Sequence, residues 1–463
     1  MSKSRFNLKS IYKKTIMIAV PVMVQNLITN FVAMIDNIMV GQVGTEQMSG
    51  VAIVNQILFV FNITVFGAVS GSGIFTAQFF GKRDYDGVRH TLRFKLMTVS
   101  LLTLVGVAIL LLFGDELISI YLHDAGGGID LEKTFGYAKD YLGIMLLGLV
   151  PFALENAYSS TLREGGNAVM PMLSGIVAVV TNTVLNYFLI FGVAGFPKLG
   201  VEGAAIATVI ARWVQAGIVV VWTHLRRAEF SFAKGLYRSF SVPRQLVGRM
   251  VKTGVIPLMV NECLWSGSIA TLTQCYSMRG IDVVAGLNIS NTVVNLFNVM
   301  FIAFGSGVSV VIGQLLGANE LENAKKSAPG LIGFCTVMCA LIGGVMVAFS
   351  TVFPNIYNTS ADVRTLASTF ITISAITMPI HGALHTIYFI LRSGGKTGIT
   401  FLFDSGFSWG VSVPTALCLV RFTNMSIIGI YICVQSIEAL KCIVGYILIK
   451  KDVWLSNIVS GKA

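Results

Sequence analysis

Long runs of apolar residues, separated by short polar segments, recur along the whole chain. An α-helix needs about 20 mostly apolar residues to cross a bilayer. Twelve runs have roughly this length or more and are predicted as membrane-spanning helices, at residues 15–39, 51–77, 96–114, 141–158, 169–192, 203–223, 253–278, 286–312, 328–351, 365–390, 398–420 and 427–449. The first run is too long for the apolar region of a cleavable signal peptide. The pattern predicts an all-α polytopic membrane protein.

The number and distribution of charged residues agree with this prediction and indicate the orientation of the helices in the membrane. Only 12% of the 463 residues are charged, against about 25% in a typical soluble protein. With the N-terminus inside, the inner segments hold 25 Lys and Arg residues and the outer loops hold six. This bias follows the positive-inside rule and predicts that both termini are cytoplasmic. The net charge of +11 is then explained by attraction to the anionic membrane surface, without nucleic acid as a partner.

An internal repeat divides the chain into two halves. With a shift of 236 residues, Pro21 aligns with Pro257, Gln78 with Gln314 and Gly81 with Gly317, and "LREGG" at 162–166 later matches "LRSGG" at 391–395. Because each half has an even number of spans, the repeats are parallel and related by a pseudo-twofold axis along the membrane normal. The predicted organisation is a basic cytoplasmic lead, an N-terminal six-helix lobe, a cytoplasmic linker, a C-terminal six-helix lobe and a cytoplasmic tail, at residues 1–14, 15–224, 225–252, 253–449 and 450–463.

A duplicated helical membrane protein of this kind is typical of transporters, and no source of chemical energy is visible in the sequence. The segment "SGGKT" at 393–397 lacks the first glycine of a phosphate-binding loop, since Ile390 stands there. An intramembrane enzyme would need a nucleophile motif or a metal cluster, and His381 and His385 lack an obvious third ligand. We therefore expect no enzyme activity and no cofactor, with an ion gradient as the energy source.

Polar side chains inside the predicted spans are the candidates for the transport site. Ionisable groups in a membrane helix are costly and mark functional sites; Asp36 is in the first span, which contains no Lys or Arg, and Glu262 is near the middle of the seventh. The amide candidates are Asn55, Asn62, Asn288, Asn291, Asn295 and Asn298. For most of these asparagines the pattern favours hydrogen bonding between helices, and lining of a cavity is the alternative.

Several segments closely resemble the multidrug and toxic compound extrusion (MATE) transporters of bacteria. These segments are "AMIDNIMVGQVG", "QFFGKRDYDGVRHTLR", "LREGGNAVMPMLSGIVAVVTNTVLNYFLIFG" and "GFPKLGVEGAAIATVIA". The resemblance covers the whole chain and implies two six-helix bundles in a V, opening alternately to the two sides of the plasma membrane. It also implies efflux of amphipathic, cationic organic compounds in exchange for H⁺ or Na⁺.

The resemblance assigns roles to individual residues. Asp36 matches the acid of the first helix, and Pro21 matches its bending proline. Asn182 and Asn186 match a pair on the fifth helix that contacts this acid, and Thr208 matches a hydroxyl on the sixth. These positions imply a cation-coupling site, in which Asp36 is a candidate ligand of Na⁺.

Other features of the resemblance leave the coupling ion and the substrate open. Glu262 is similar to the seventh-helix acid of bacterial members and is a candidate for the substrate or a second ion. The second residue of the fifth-helix pair is Asp in some members, but Asn186 stands here, and the tenth-helix acid of some sodium-coupled members is absent. The expected partners are small organic cations and membrane lipids, and the expected state is a monomer. A flippase for lipid-linked saccharides, from the same superfamily, is the alternative function.

Overall fold

The computed structural model describes residues 7–122, 130–357 and 359–460. These residues form helices joined by short turns, and they contain no β-strand. The predicted all-α class is therefore confirmed for the described chain. Residues 1–6 of the predicted lead and residues 461–463 of the predicted tail lie outside the described ranges.

Fifteen α-helices are present in the described residues. In the first half they are α1 (Leu8–Gly41), α2 (Thr45–Lys82), α3 (Tyr85–Tyr121), α4 (Leu131–Met145), α5 (Leu149–Glu164), α6 (Val169–Phe191) and α7 (Gly200–Leu225). In the second half they are α8 (Arg244–Arg249), α9 (Ile256–Ser277), α10 (Ile281–Gly317), α11 (Leu321–Val352), α12 (Ala361–Ser393), α13 (Thr397–Phe401), α14 (Val413–Phe422) and α15 (Ile427–Lys450).

Eleven helical stretches of the described chain are long and apolar enough to cross a membrane. They correspond to the predicted spans other than 398–420, although most begin several residues earlier, because polar helix ends carry no hydrophobic signal. Two of these stretches join consecutive elements, α4 with α5 and α8 with α9. The segment predicted at 398–420 is also helical, but π-helical turns at Leu402–Gly406 and Ser408–Ser412 separate α13 from α14.

The internal repeat is visible in the helix boundaries. Helix α1 and the stretch Arg244–Ser277 are offset by 236 residues at both ends, and α3 and α11 begin with the same offset. The two copies of the repeat therefore adopt the same order of long helices from their first residue to the end of the third helix.

The described residues are grouped into two compact units. One comprises Met1–Met23, Ala77–Asp84 and Arg249–Ala463 within the described ranges, and the other comprises Val24–Thr76 and Tyr85–Gly248. The first unit has a core from α10, α11 and α12, which includes Phe304 and Ile387. A core cluster of the second unit includes Val54 and Leu149. The sequence-predicted lobes, which begin at residues 15 and 253, divide the chain differently and remain a prediction.

Helix α1 contributes to both units, and the division falls beside its proline. Met23 belongs to the first unit and Val24 to the second, two and three residues after Pro21. Proline lacks the N–H that would donate a hydrogen bond to the carbonyl one turn earlier. The helix therefore bends more easily at this point than elsewhere. The bending role that the resemblance assigns to Pro21 remains a prediction.

The C-terminal ends of α2 and α10 cross at two repeat-equivalent glycines. A Cβ atom on Gly81 would collide with the backbone carbonyl of Gln314, and one on Gly317 would collide with that of Gln78. Only glycine permits so close an approach of two backbones. The C-terminal segment packs over the same place, with Trp454 fully buried.

Gln78 connects this crossing to the C-terminal segment. Its buried side chain donates from Nε2 to the carbonyl oxygens of Ser393 (2.9 Å) and Ser456 (3.2 Å). Its Oε1 accepts from the backbone N–H of Ile458 at 2.8 Å. One fully buried amide thus satisfies three backbone groups, of which the Ser393 carbonyl is buried.

Replacing Gln78 with Leu is expected to destabilise the protein by about 1–3 kcal/mol, the cost of leaving buried backbone groups unsatisfied. The measurement is thermal unfolding in detergent, together with the rate at which a protease removes the C-terminal segment. Gln56→Leu, at an exposed position of the same helix, is the matched control and should change neither. An unchanged melting temperature for Gln78→Leu would show that the tail is held by other contacts.

Candidate functional site

Asp36 is brought together with the three residues of α6 and α7 that the sequence assigns to it. Its Oδ1 accepts a hydrogen bond of 2.6 Å from Asn186 Nδ2. Asn182 lies one turn away from Asn186 on the same face of α6, and Thr208 of α7 contacts Asn182. All four residues belong to the same compact unit.

Small residues allow α1, α6 and α7 to approach closely enough for these contacts. A Cβ atom on Gly203 of α7 would lie 2.6 Å from the carbonyl oxygen of Leu189 on α6. A Cβ atom on Gly175 of α6 would lie 3.2 Å from the Cγ of Gln25, on the face of α1 that also carries Asp36. Close packing of this kind at small residues is typical of membrane helices.

The amide of Asn182 forms hydrogen bonds in either of two orientations. In one, its Oδ1 accepts from Asn186 Nδ2 and its Nδ2 donates to Thr208 Oγ1, each at 3.2 Å. In the other, its Nδ2 donates to both carboxylate oxygens of Asp36, at 2.9 and 3.0 Å, and its Oδ1 accepts from Thr208 at 3.2 Å. The site can therefore offer Asp36 either a donor or an acceptor from the same side chain.

Asp36 has no basic partner within the described residues, where no Lys, Arg or His nitrogen lies within 4.0 Å of its carboxylate. Next to it, the Oδ1 atom of Asn186 is buried and lacks a hydrogen-bond partner among the residues described. Carboxylate, amide and hydroxyl oxygens are ligands that hard cations prefer. The arrangement can hold a proton on Asp36 or a small cation beside it.

Glu262 lies in the other compact unit and belongs to a chain of hydrogen bonds. Tyr388 Oη donates to Glu262 Oε1 at 3.1 Å and accepts from Asn261 Nδ2 at 3.2 Å. Asn261 Nδ2 also donates to Asp404 Oδ2 at 3.0 Å, and its Oδ1 accepts from Ser405 Oγ at 2.8 Å. Glu262 is thus connected to a second acid that the sequence did not link to it.

The candidate asparagines do not act as hydrogen-bonding contacts between helices. In the described parts of α2 and α10, none of their six side chains makes a hydrogen bond to another helix. Half of them are exposed at the molecular surface and the others are half-buried; the six are Asn55, Asn62, Asn288, Asn291, Asn295 and Asn298. The hydrogen bonds between helices that the sequence favoured for these amides are therefore absent from the described residues. Lining of a transport path remains a proposal for them.

Two buried ion pairs were not identified from the sequence in this form. Lys441 Nζ lies 3.7 Å from Glu438 Oε2, one turn earlier on the same helix, and its closer partner is Asp404 Oδ1 at 2.9 Å. Lys95 lies just outside the predicted span 96–114, yet it is fully buried and its Nζ is 2.6 Å from Glu164 Oε2. The only signal for either pair was a basic residue beside an apolar run, which does not identify its partner.

The described residues contain no group of three or more His, Cys, Asp or Glu side chains that could hold a metal ion. Groups of this kind hold tightly bound metals through several charged or basic ligands. The site around Asp36 is of a different type, because neutral amides and a hydroxyl surround a single acid. The seven cysteines are free thiols. We assign these cysteines no role in function.

Comparison with known proteins gives a family match in both halves of the chain. The MatE family model matches residues 21–188 and again residues 257–418. A probable multidrug resistance protein NorM of Thermotoga maritima is 26% identical over 91% of this chain and 88% of its own length. A probable multidrug resistance protein YoeA of Bacillus subtilis is 24% identical over 91% and 90% of the two chains.

Solved structures show the same fold. A crystal structure of a MATE transporter in complex with MaD3S has a TM-score of 0.85 and 17% identity, covering 96% of both chains. A transporter of the MOP superfamily from Pyrococcus furiosus has a TM-score of 0.80 and 18% identity over 96% of both chains. The expected fold and the resemblance drawn from the sequence motifs are thereby confirmed.

Proposed function

Because the chain belongs to the MatE family of multi-span membrane transporters, we propose that it is a secondary active antiporter of the bacterial plasma membrane. It exports amphipathic organic cations in exchange for H⁺ or Na⁺, with both termini and the 225–252 linker on the cytoplasmic side. The names of the NorM and YoeA relatives, both probable multidrug resistance proteins, support efflux of small organic compounds.

The observation that carries the proposal is the environment of Asp36. This carboxyl group is held by neutral amides and lacks a basic partner in the described chain, with the closest donor 2.6 Å away. An acid inside a membrane helix is costly, at about 2.5–3.5 kcal/mol near the centre on insertion scales. A proton or a bound cation reduces this cost, so the site changes its preferred state with the ion that it holds.

The neighbouring amides allow Asp36 to exist in both states. When Asp36 is ionised, Asn182 and Asn186 donate to its oxygens. When Asp36 carries a proton or contacts a cation, rotation of the Asn182 amide presents an oxygen instead, and the free Asn186 Oδ1 supplies another. The donors and acceptors of the site therefore fit exchange between an occupied and an empty state.

Coupling to transport follows from the position of Asp36 on α1. Binding of an external cation draws the second part of α1 towards α6 and α7, and Pro21 allows the helix to bend close to the point, between Met23 and Val24, where α1 passes from one compact unit to the other. We propose that this change favours release of the substrate to the outside. Departure of the cation then restores the state that takes up substrate from the cytoplasm, as alternating access requires.

Lipid-linked saccharide transport is the less supported alternative. Such a flippase needs free basic side chains in its transport path to bind a pyrophosphate. The two basic residues within the predicted spans already have partners, since Arg212 donates to the carbonyl of Gly148 and packs on Phe152. Lys441 is bound by Asp404 and Glu438.

The proposed exchange is tested by efflux of a fluorescent organic cation from proteoliposomes. A proton gradient and a sodium gradient are imposed separately, at equal membrane potential, and each is then collapsed with its own ionophore. Efflux that follows one gradient supports the proposal and identifies the coupling ion. Efflux that is independent of both gradients would contradict it.

Glu262→Gln is expected to weaken efflux of cationic substrates while leaving the coupling ion unchanged. The carboxylate is a candidate counterion for the substrate, and an interaction with a charged group is worth about 1.5–3 kcal/mol. We expect KM to rise by about tenfold, which is 1.4 kcal/mol, and the preference for H⁺ or Na⁺ to stay the same. Glu46→Gln, near the start of α2, is the control. Unchanged KM for every cation tested would exclude Glu262 from substrate binding.

A further inference from the structure

The ammonium group of Lys441 lies in a box formed by two acids and two aromatic rings. The box is defined by Phe403, Asp404, Phe407 and Glu438. Lys441 Nζ is 2.9 Å from Asp404 Oδ1 and 3.7 Å from Glu438 Oε2. It also lies 5.5 Å from the ring centroid of Phe403 and 6.0 Å from that of Phe407.

This combination of groups is the one by which proteins recognise ammonium ions. Carboxylates supply charge-assisted hydrogen bonds, and the faces of aromatic rings attract a cation within about 6 Å of the centroid. The box would therefore bind an alkylammonium group if its centre were free. In this chain a lysine from the same unit occupies it, and Lys441 is only 5% exposed.

The acids are held in place by neutral groups on the sides away from the lysine. Asn261 Nδ2 donates to Asp404 Oδ2 at 3.0 Å, and Ser412 Oγ donates to Glu438 Oε1 at 3.3 Å. Both Asp404 and Ser412 lie on the π-helical turns that separate α13 from α14. Such wide turns occur often at functional sites, because they shift a side chain from the regular helical position.

Burial makes the lysine necessary for the ionised acids. The side chains of Asp404 and Glu438 are 15% and 17% exposed, so each loses most of its hydration. Removing one partner of a buried ion pair leaves an uncompensated charge. An exchangeable cation would supply the missing charge equally well, provided that it reached the same position.

We propose that Lys441 is a tethered cation, which fills the cation position of this unit permanently and prevents an exchangeable ion from binding at Asp404 and Glu438. Of the acids in this chain of hydrogen bonds, Glu262 is then the one that can still meet a substrate cation or an exchangeable ion; Tyr388 and Asn261 link it to Asp404. Lys441 thereby determines how many ions the protein exchanges. Occupation of the box by Lys441 is independent of the proposed efflux function, whereas the effect on the number of exchanged ions rests on it.

The test uses chemical rescue of Lys441→Ala in the full-length protein, purified in detergent. The background is Asp36→Asn, so that binding at Asp36 does not contribute. Thermal unfolding is followed while propylammonium chloride replaces tetraethylammonium chloride at constant ionic strength. We expect Lys441→Ala to lower the melting temperature by about 5 °C or more, and propylammonium to restore it in a saturable way.

Three further variants test whether propylammonium acts at the position of Lys441. In Lys441→Ala/Asp404→Asn the rescue should be lost or greatly weakened, because the closer acid is gone. Lys450→Ala, at an exposed lysine of the same helix, should show neither the loss nor the rescue. Lys441→Ala/Glu438→Gln leaves fewer unpaired charges and replaces the single variant in the measurement if Lys441→Ala does not fold. Propylammonium should still stabilise this double variant, because Asp404 is intact.

A second measurement follows efflux and its ion stoichiometry in proteoliposomes that contain variants with Asp36 intact. Lys441→Ala should slow efflux about tenfold or more without propylammonium, and propylammonium should recover most of it. Stabilisation of the variant by propylammonium no greater than by tetraethylammonium would overturn the proposal. Efflux of Lys441→Ala with the rate and ion stoichiometry of the parent protein would overturn it too. Failure of the parent protein to couple efflux to any ion would instead refute the proposed function and leave the thermal result standing.

Discussion

Asp36→Asn is expected to reduce gradient-driven efflux by about 5–150-fold, the range that corresponds to coupling energies of about 1–3 kcal/mol. The substitution keeps the size of the side chain and its contact with Asn186, but the amide cannot exchange a proton or neutralise a cation. The protein should therefore insert and fold normally while losing the link between ion and substrate. Efflux is measured in proteoliposomes under the gradient that drives the parent protein.

Substrate binding in detergent separates loss of coupling from loss of the substrate site. We expect the affinity of Asp36→Asn for a fluorescent organic cation to remain within about threefold of the parent, a difference below 1 kcal/mol. Asp140→Asn, at an exposed position of α4, is the matched control and should transport normally. Efflux at the parent rate by Asp36→Asn, under either gradient, would contradict the role of this residue in ion coupling.

Lys95→Met is expected to cause the largest loss of stability, about 3–5 kcal/mol, because it leaves the carboxylate of Glu164 buried without its cation. Lys95 is fully buried, and its Nζ donates to Glu164 Oε2 at 2.6 Å and to Ser160 Oγ at 2.8 Å. The pair joins α3 to α5 inside one compact unit. The measurement is thermal unfolding in detergent, together with the amount of folded protein recovered from membranes.

The double variant Lys95→Met/Glu164→Gln shows whether charge or packing is responsible. It removes both charges and keeps similar volumes, so it should recover most of the lost stability, as buried ion pairs replaced by neutral groups commonly do. Lys139→Met, which breaks the exposed pair with Asp115, should cost at most about 1 kcal/mol. A double variant as unstable as Lys95→Met would mean that the lysine stabilises the protein by packing.

The sequence by itself determined the helices and their order. A backbone in lipid must satisfy its own hydrogen bonds, so an apolar run of sufficient length can only be a helix or a barrel strand, and the length of the runs selects the helix. The repeat that relates Pro21 to Pro257 then predicts the same order of helices in each half. This argument needs no knowledge of which helix packs against which.

The residues around Asp36 were predicted from the sequence, but their geometry was not. Asn182 and Asn186 are four residues apart and must share a face of α6, and the resemblance placed that face opposite Asp36. The 2.6 Å contact from Asn186 and the two orientations of Asn182 depend on how closely α1, α6 and α7 approach. Glycines such as Gly203 set that distance, and only the packed helices show it.

The tertiary structure alone decided which polar groups are paired. Asp404 and Lys441 lie on different helices, and the π-helical turns that place Asp404 beside the lysine leave no periodic signal. The asparagines of α2 and α10 have the spacing of an interhelical stripe, yet within the described chain their side chains make no hydrogen bond to another helix. Periodicity determines which residues share a face of a helix, whereas the packing of the whole bundle determines what that face meets.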